Sequence, residues 1–290
     1  MRRLMLTCAT MCALIFLVDI GIGWAQSLSV PSSVVAGAQT AIATSGSGKA
    51  TFYLVGPGVS RKNEVNLGEQ IQLRSDDVRN AGAYQAIICS ETCRSATFYV
   101  VGARPSSLAF LVHPSRVPVS QNDVVSGVAI PFDQYRNMAL TPVTVNFELK
   151  AGNSSLLSRT PPTKDAVAWF RTTSGRSAGA LQVVATLNDI SARRVVQQVA
   201  SDPCNLRIQG QRTKSGILVQ TEPVHDCAGN PVPDGTIVTF TATDAGGKST
   251  VDAPIKQGIA RAQIEGASGT VISVASGVVM GNELRMGAQP

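Results

Sequence analysis

The sequence predicts an all-β protein in which β-sandwich domains follow one another along the chain. Val, Thr, Ser, Ala and Gly dominate the composition, and turn-forming residues recur about every ten positions, as short strands require. Several segments alternate strictly between polar and apolar residues. Related patterns also recur about 90 residues apart, which is the size of one β-sandwich. These three observations together favour tandem sandwiches.

The clearest alternation lies at residues 143–150, where every odd position is apolar and every even position is polar. A strand places Val143, Val145, Phe147 and Leu149 on one buried face, whereas a helix would scatter them. Alternation or apolar runs predict further strands at residues 50–54, 70–74, 84–88, 166–170 and 181–185.

Trp169 lies in the predicted strand at residues 166–170 and is the only tryptophan after the leader described below. A large aromatic side chain in an apolar run is most often part of a core. We therefore predict that Trp169 packs inside its domain.

The repeat divides the chain into three predicted domains, at residues 26–103, 104–200 and 201–290. Asn137 is followed ten residues later by Phe147, and Asn230 is followed at the same interval by Phe240. Short linkers that contain proline, at residues 102–105 and 200–203, separate the domains. Such linkers favour a semi-rigid rod over freely jointed domains.

The first 25 residues have the pattern of a cleaved signal peptide. Arg2 and Arg3 precede an apolar run at residues 4–18, and small residues follow at 23–25. An uncleaved N-terminal anchor is the alternative, although the run is short for a bilayer and Asp19 interrupts it. We predict export to the periplasm or to the extracellular surface, with no integral membrane segment in the mature chain.

Four cysteines remain after the leader: Cys89, Cys93, Cys204 and Cys227. An even number in an exported chain predicts disulfides, because the compartment is oxidising. Pairing within domains, Cys89 with Cys93 and Cys204 with Cys227, is the simplest of three connectivities. A redox-active pair is disfavoured, because the Cys89–Cys93 spacing is not Cys-x-x-Cys.

The sequence contains few residues that are candidates for catalysis. His113 and His225 are the only histidines. His225, Asp226, Cys204 and Cys227 belong to residue types that bind metals, but neighbouring residues on a strand or turn point in different directions. We predict no catalytic residues, no cofactor and no metal.

The charge of the chain indicates which classes of partner to expect. The net charge of +6 comes without Lys/Arg runs, so nucleic acid is not predicted as a partner. The second domain holds ten Lys/Arg against five Asp/Glu. This balance fits either an anionic envelope polymer as partner or an ordinary solvated face.

The first domain carries a possible immunoglobulin-like feature. Residues 77–84 look like the turn before strand F of such domains, where a tyrosine hydroxyl bonds to the backbone a few residues upstream. Tyr84 is the candidate for this tyrosine corner, and an ordinary core tyrosine is the alternative.

The third domain carries a more specific resemblance. Asp226, Gly229, Asn230 and Pro231 precede a valine-rich strand at residues 236–240. This order resembles the bacterial immunoglobulin-like repeat of the invasin and intimin type. The aspartate is suited to capping the turn, the Gly-Asn pair tolerates left-handed conformations, and the proline stiffens the exit.

The resemblance is clearest at residues 202–286 and weaker elsewhere. In residues 104–200, Asp133 and Asn137 persist but the Gly-Asn-Pro turn does not, and residues 26–103 resemble only a generic immunoglobulin-like domain. We therefore predict three tandem immunoglobulin-like β-sandwiches.

Repeats of this family imply spacers or adhesive rods of the bacterial envelope. The chain is accordingly predicted to be a non-enzymatic exported structural, adhesive or protein-interaction rod. Its partner would be another envelope or surface protein, or an anionic envelope polymer. The alternative is an accessory subunit that positions an exported enzyme or a secretion assembly.

Overall fold

The computed structural model describes residues 27–287, so the predicted leader lies outside the described residues. Within that range the chain forms strands and a single 3₁₀ helix, which confirms the all-β fold class. One compact unit ends at Val100 and a second begins at Val101. Each pair of sheets described below is called a sandwich and is numbered in chain order.

The first sandwich combines a three-stranded sheet, in the order β1-β3-β6, with a five-stranded sheet, in the order β2-β8-β7-β4-β5. Its elements are β1 (Leu28–Ser29), β2 (Ser33–Val35), β3 (Thr40–Thr44), β4 (Lys49–Gly56), β5 (Val59–Asn66), β6 (Gln70–Leu73), a 3₁₀ helix (Ser75–Val78), β7 (Gly82–Cys89) and β8 (Cys93–Val101).

The second sandwich repeats this division, with a three-stranded sheet β14-β11-β9 and a five-stranded sheet β10-β16-β15-β12-β13. Strand β10 runs parallel to β16. The strands are β9 (Ser107–His113), β10 (Arg116–Pro118), β11 (Val125–Phe132), β12 (Asn146–Ala151), β13 (Ser154–Arg159), β14 (Ala168–Thr172), β15 (Gly179–Leu187) and β16 (Ile190–Val199).

The third sandwich has a three-stranded sheet β17-β18-β21 and a larger sheet β20-β19-β22-β23, in which β24 also pairs with β22. The strands are β17 (Ile208–Thr213), β18 (Gly216–Thr221), β19 (Ile237–Asp244), β20 (Gly247–Pro254), β21 (Arg261–Ile264), β22 (Val271–Ser276), β23 (Val279–Met280) and β24 (Leu284–Arg285).

Alternation of side chains builds the cores of the second and third sandwiches. Phe147, on β12, is fully buried and lies 6.0 Å from the ring of Phe110 and 5.0 Å from the ring of Phe170, so it joins the two facing sheets. Phe240 on β19 is equally buried in the separate core of the third sandwich. Burial of a large apolar side chain stabilises a fold by about 1.5–3 kcal/mol.

The predicted strand at residues 143–150 becomes regular only from Asn146. Val145 is fully buried, as the alternation predicts. The facing segment contains Pro161 and Pro162, and Thr144 makes only an isolated bridge to Pro162. Because proline has no N–H to donate to a ladder, regular pairing is interrupted here.

The prediction that Trp169 packs in the core is wrong, because 65% of its surface is exposed. Strand β14 buries Ala168 and Phe170, and alternation then directs Trp169 to the outside of the sheet. The run at residues 166–170 is apolar throughout, so its sequence does not show which of the two faces is buried.

Candidate functional site

The turn that begins at Asp226 is ordered by its own carboxylate. Its Oδ1 atom accepts hydrogen bonds from the backbone N–H of Ala228 at 2.9 Å and of Asn230 at 2.8 Å. The Asn230 side-chain amide donates to both carboxylate oxygens, at 3.1 and 3.0 Å. Gly229 adopts a φ of 85°, which favours glycine. The carboxylate therefore closes the turn locally.

The same carboxylate also holds the segment that joins the second and third sandwiches. Its Oδ2 atom accepts a hydrogen bond from the backbone N–H of Ser201 at 3.0 Å. The Ser201 hydroxyl donates in turn to the carbonyl of Val119, in the second sandwich, at 2.6 Å. One residue of the linker is thus bonded to the domain on each side.

Asn230 makes a second connection between these sandwiches, which lie in one compact unit. Its Oδ1 atom accepts from the backbone N–H of Ala178 at 2.8 Å, and its Nδ2 atom donates to the carbonyl of Arg176 at 2.8 Å. Both groups precede β15 of the second sandwich. The linker and the turn therefore bind the same neighbouring domain, and we call this set of contacts the linker clamp.

A disulfide connects the far end of the linker to the turn. Cys204 and Cys227 are bonded, with Cα atoms 4.9 Å apart, and the N–H of Cys204 donates to the carbonyl of His225 at 2.8 Å. The linker thus enters the third sandwich covalently attached beside Asp226.

Asp133 forms a similar turn in the second sandwich. Its Oδ1 atom accepts from the N–H of Tyr135 and of Asn137, each at 2.8 Å, and the Asn137 side-chain amide donates to Oδ2 at 2.8 Å. The backbone N–H of Ala103 also donates to Oδ2, at 2.9 Å. Arg136 occupies the glycine position, with a φ of 67°. The bonding pattern is therefore retained although the Gly-Asn-Pro sequence is not.

Hydrogen bonds set the ionisation of both aspartates. Burial by itself raises the pKa of Asp226, but bonds from Asn230, Ser201 and Ala228 outweigh it and hold the pKa below its ordinary value. Burial likewise raises the pKa of Asp133, and bonds from Asn137, Ala103 and Tyr135 lower it further than burial raises it. Both groups are therefore carboxylates at neutral pH.

These lowered pKa values predict a loss of stability in acid. A carboxyl whose pKa is lower in the folded state stabilises the fold above its unfolded pKa of about 3.9. That contribution is lost as the pH falls through the folded pKa. We expect the free energy of unfolding of the second and third sandwiches to decrease below about pH 4, as measured by urea unfolding. An Asp226→Asn variant should show a shallower decrease, and stability that rises in acid would contradict this expectation.

Tyr84 and the first cysteine pair lie in the first sandwich. The Tyr84 hydroxyl donates to the carbonyl of Asn80 at 2.8 Å, which is the geometry of a tyrosine corner, and its ring stacks on Phe98 at 5.4 Å. Burial raises the pKa of Tyr84. Cys89 and Cys93 form a disulfide across the β7–β8 hairpin, with Cα atoms 4.1 Å apart.

We expect the Tyr84→Phe substitution to lower the free energy of unfolding of the first sandwich by about 1 kcal/mol, because the ring stays while one buried hydrogen bond is lost. Tyr99→Phe is the matched control, since Tyr99 is 56% exposed in the same sandwich. Hydrogen exchange read by mass spectrometry reports the first sandwich separately. Equal effects of the two substitutions would argue against a role for the Tyr84 hydroxyl.

Sequence reasoning missed Asp77, which is buried at the 3₁₀ helix of the first sandwich. Its carboxylate accepts from the N–H of Arg74 at 2.9 Å and forms an ion pair with Arg61. The available signal was an acidic residue three positions after the start of a helical turn. The ion-pair partner Arg61, on β5, has no such signal in the sequence, because the pairing depends on how the sheets pack.

The four candidate metal ligands make other bonds or lie exposed. Cys204 and Cys227 share a disulfide, and Asp226 is saturated by hydrogen bonds. His225 is exposed, with Nδ1 3.1 Å from the carbonyl of Pro223. In residues 27–287 no three His, Cys, Asp or Glu side chains group in a way that suits a metal ion. Over the same residues no helix is long and apolar enough to cross a bilayer.

The fold and the aspartate turns define a class of tandem immunoglobulin-like β-sandwiches, of which the second and third are joined here by a hydrogen-bonded linker. The chain is similar in structure to FdeC, an Escherichia coli adhesin, with 15% identity, a TM-score of 0.62 and coverage of 92% of this chain and 97% of FdeC. It is also similar to invasin, a bacterial integrin-binding protein, with 11% identity and a TM-score of 0.51. That match covers 92% of this chain and 60% of the invasin chain.

The predicted resemblance to invasin-type repeats is therefore confirmed at the level of the fold. No protein family model matches the sequence. No curated protein matches it either.

Proposed function

We propose that this protein is an exported, non-enzymatic adhesive or structural protein of the bacterial envelope that binds another surface molecule. Its second and third sandwiches act as one stiff segment that presents a binding surface. The observation that carries the proposal is the linker clamp, in which Asp226 and Asn230 bind the linker and the preceding domain. The fold shared with FdeC and invasin supports the same role.

The clamp is suited to a mechanical role for a physical reason. A free linker of a few residues would leave the two domains independently mobile. Here hydrogen bonds from Ser201 and Asn230 reach the second sandwich at two separate places, Val119 and the segment before β15. Two separated attachments restrict both bending and rotation, so a force or a partner acting on one domain is transmitted to the other.

The stiffness is tested by distances between spin labels on the second and third sandwiches. Labels at Gln182→Cys and Lys248→Cys lie on exposed positions of β15 and β20. The distance distribution should be narrow in the parent chain and broader in the Asn230→Ala variant. Asn153→Ala, in an exposed turn of the second sandwich, is the control and should leave the distribution unchanged. A broad distribution in the parent chain would refute the stiff segment.

The domain limits at residues 26–103, 104–200 and 201–290 are part of the same proposal. Linkers between folded domains are the preferred sites of limited proteolysis, so fragments of about 90 residues should be recovered. Asn230→Ala should accelerate cleavage near residues 200–203, because it removes the bonds to Ala178 and Arg176 that hold together the two domains on either side of this segment. Cleavage within the strands at the same rate would contradict these limits.

The predicted export of the protein and its proposed role are tested in cells. A phosphatase that is active only outside the cytoplasm, fused after residue 40, should be active, and deletion of residues 2–25 should abolish that activity. Surface attachment should fall when the gene is deleted and should return with the full chain. If the protein instead co-purifies in fixed ratio with one envelope enzyme whose activity depends on it, the accessory-subunit alternative is favoured.

A further inference from the structure

The outer face of the three-stranded sheet of the second sandwich is unusually apolar. Strand register places Leu111, Val128 and Trp169 in one row across β9, β11 and β14. Leu111 is 68% exposed and Trp169 is 65% exposed. These side chains point away from the core, because their neighbours Phe110 and Phe170 point into it.

The same face continues along β11 toward its C-terminal end. Ile130 and Phe132 share the outward direction of Val128 and are partly exposed. Phe132 forms a bridge with Met138, which is 50% exposed. Strand and residue spacing give the Cα positions of the face dimensions of about 10 by 13 Å. We call it the apolar face and define it by Leu111, Val128, Ile130, Phe132, Met138 and Trp169.

Charge on this face has one sign. Strands β9, β11 and β14 contain no Asp or Glu, and the row next to Trp169 contains Arg171 and His113, both exposed and both paired with Ser126. The nearest carboxylates along the chain are Asp133, which is buried and accepts hydrogen bonds within its own turn, and Asp123 and Asp165, which lie in turns outside the strands. An apolar area beside an uncompensated arginine is complementary to an apolar surface that carries a carboxylate.

The composition favours a protein as the occupant. Tryptophan, phenylalanine, methionine and arginine are enriched at protein–protein interfaces, whereas lysine and carboxylates are depleted there. Attachment to an anionic membrane surface relies instead on clusters of several Lys/Arg, and the three strands carry a single arginine. A second copy of this chain would bring a second Arg171 to the same interface, where like charges repel.

We infer that the apolar face binds a different protein, through a contact region that is apolar and carries a carboxylate opposite Arg171. This inference rests on the proposed interaction role. It adds to that role a binding surface and a class of partner. Trp169 and Leu111 would form the buried centre of the interface, and Arg171 would fix its orientation at the edge.

The test uses a photo-crosslinking residue at Leu111 in the full chain, produced in its native host. The matched control carries the same residue at Gln182, exposed on the other sheet of the same sandwich. We expect one discrete heteromeric adduct at Leu111 and none at Gln182. Trp169→Ser and Arg171→Glu should each suppress it, whereas Arg194→Glu on the other sheet should not. Calorimetric unfolding of each variant checks that the fold is intact.

Once mass spectrometry identifies the partner in the adduct, the affinity is measured with purified proteins. Trp169→Ser should weaken binding by about 30-fold, as for other central aromatic residues of interfaces. A charge-reversing substitution of the crosslinked carboxylate on the partner should restore binding to the Arg171→Glu variant. This rescue distinguishes a specific interface from nonspecific capture by an apolar surface.

Other outcomes overturn the assignment. An adduct with the mass of two copies would make the face a homodimer contact, and a heterogeneous adduct would indicate lipid or polysaccharide. An adduct that is insensitive to Arg171→Glu, or no adduct above the Gln182 control, would reject the face. A discrete protein adduct at Gln182 alone would reject the face but leave the interaction role standing, whereas a cytoplasmic location would overturn the proposed function.

Discussion

Asp226→Ala is expected to lower the free energy of unfolding of the third sandwich by about 3 kcal/mol, because the backbone N–H groups of Ser201, Ala228 and Asn230 lose their acceptor together. Each unsatisfied buried donor costs about 1–3 kcal/mol, and water that enters at the partly exposed turn recovers part of the loss. The remaining effect is large for a single substitution outside the hydrophobic core.

The variant is measured by hydrogen exchange with mass spectrometry during urea titration, which reads each sandwich of the full chain separately. Glu283→Ala is the matched control, because Glu283 is an exposed carboxylate of the same sandwich. Asp226→Asn keeps the shape but places an amide among donors, so its loss should lie between those of the alanine variant and the control. A loss below about 1 kcal/mol would show that water replaces the carboxylate.

Removal of the Cys204–Cys227 disulfide by substitution of both residues with alanine should cost about 3 kcal/mol. The bridge closes a loop with a sequence separation of 23, and its main effect in the chain-entropy account is to restrict the unfolded chain. The Cys89–Cys93 pair is the internal comparison, because its separation is only 4. The same relation gives about 2 kcal/mol for that pair.

The two disulfide variants are compared in their own sandwiches by the same hydrogen-exchange measurement. A larger loss on removal of Cys89–Cys93 would contradict the loop-length account. Cys204–Cys227 and Asp226 act on one turn, so their effects should not add, and a double-mutant cycle should give a coupling of about 0.5–3 kcal/mol. Strict additivity would mean that the bridge and the carboxylate order different segments.

Local patterns predicted much of the fold. Alternation identified the buried face of the strand that contains Val145, Phe147 and Leu149, because successive side chains of a strand always point to opposite sides. Resemblance singled out Asp226, Gly229 and Asn230, whose turn is closed by bonds between residues at most four apart. Such features are short in range. The residues that form each of them are therefore neighbours in the sequence and can be recognised together.

Contacts between distant residues were not predictable in the same way. The sequence marked Asn230 as a turn residue, but its position gives no indication that it is bonded to Ala178 and Arg176 of the preceding domain. The partner of Asp77, Arg61 on β5, was hidden for the same reason. Each of these pairs meets only after separate strands have packed.

The sequence by itself determined the all-β fold class, the strand periodicity and the identity of the two aspartate turns. Tertiary structure alone decided that Trp169 faces outward, that it aligns with Leu111 across Val128, and that Asn230 links two sandwiches. The physical reason is that period-two alternation assigns residues to two faces but does not rank two apolar faces. Only the facing sheet, by covering one of them, leaves the other exposed.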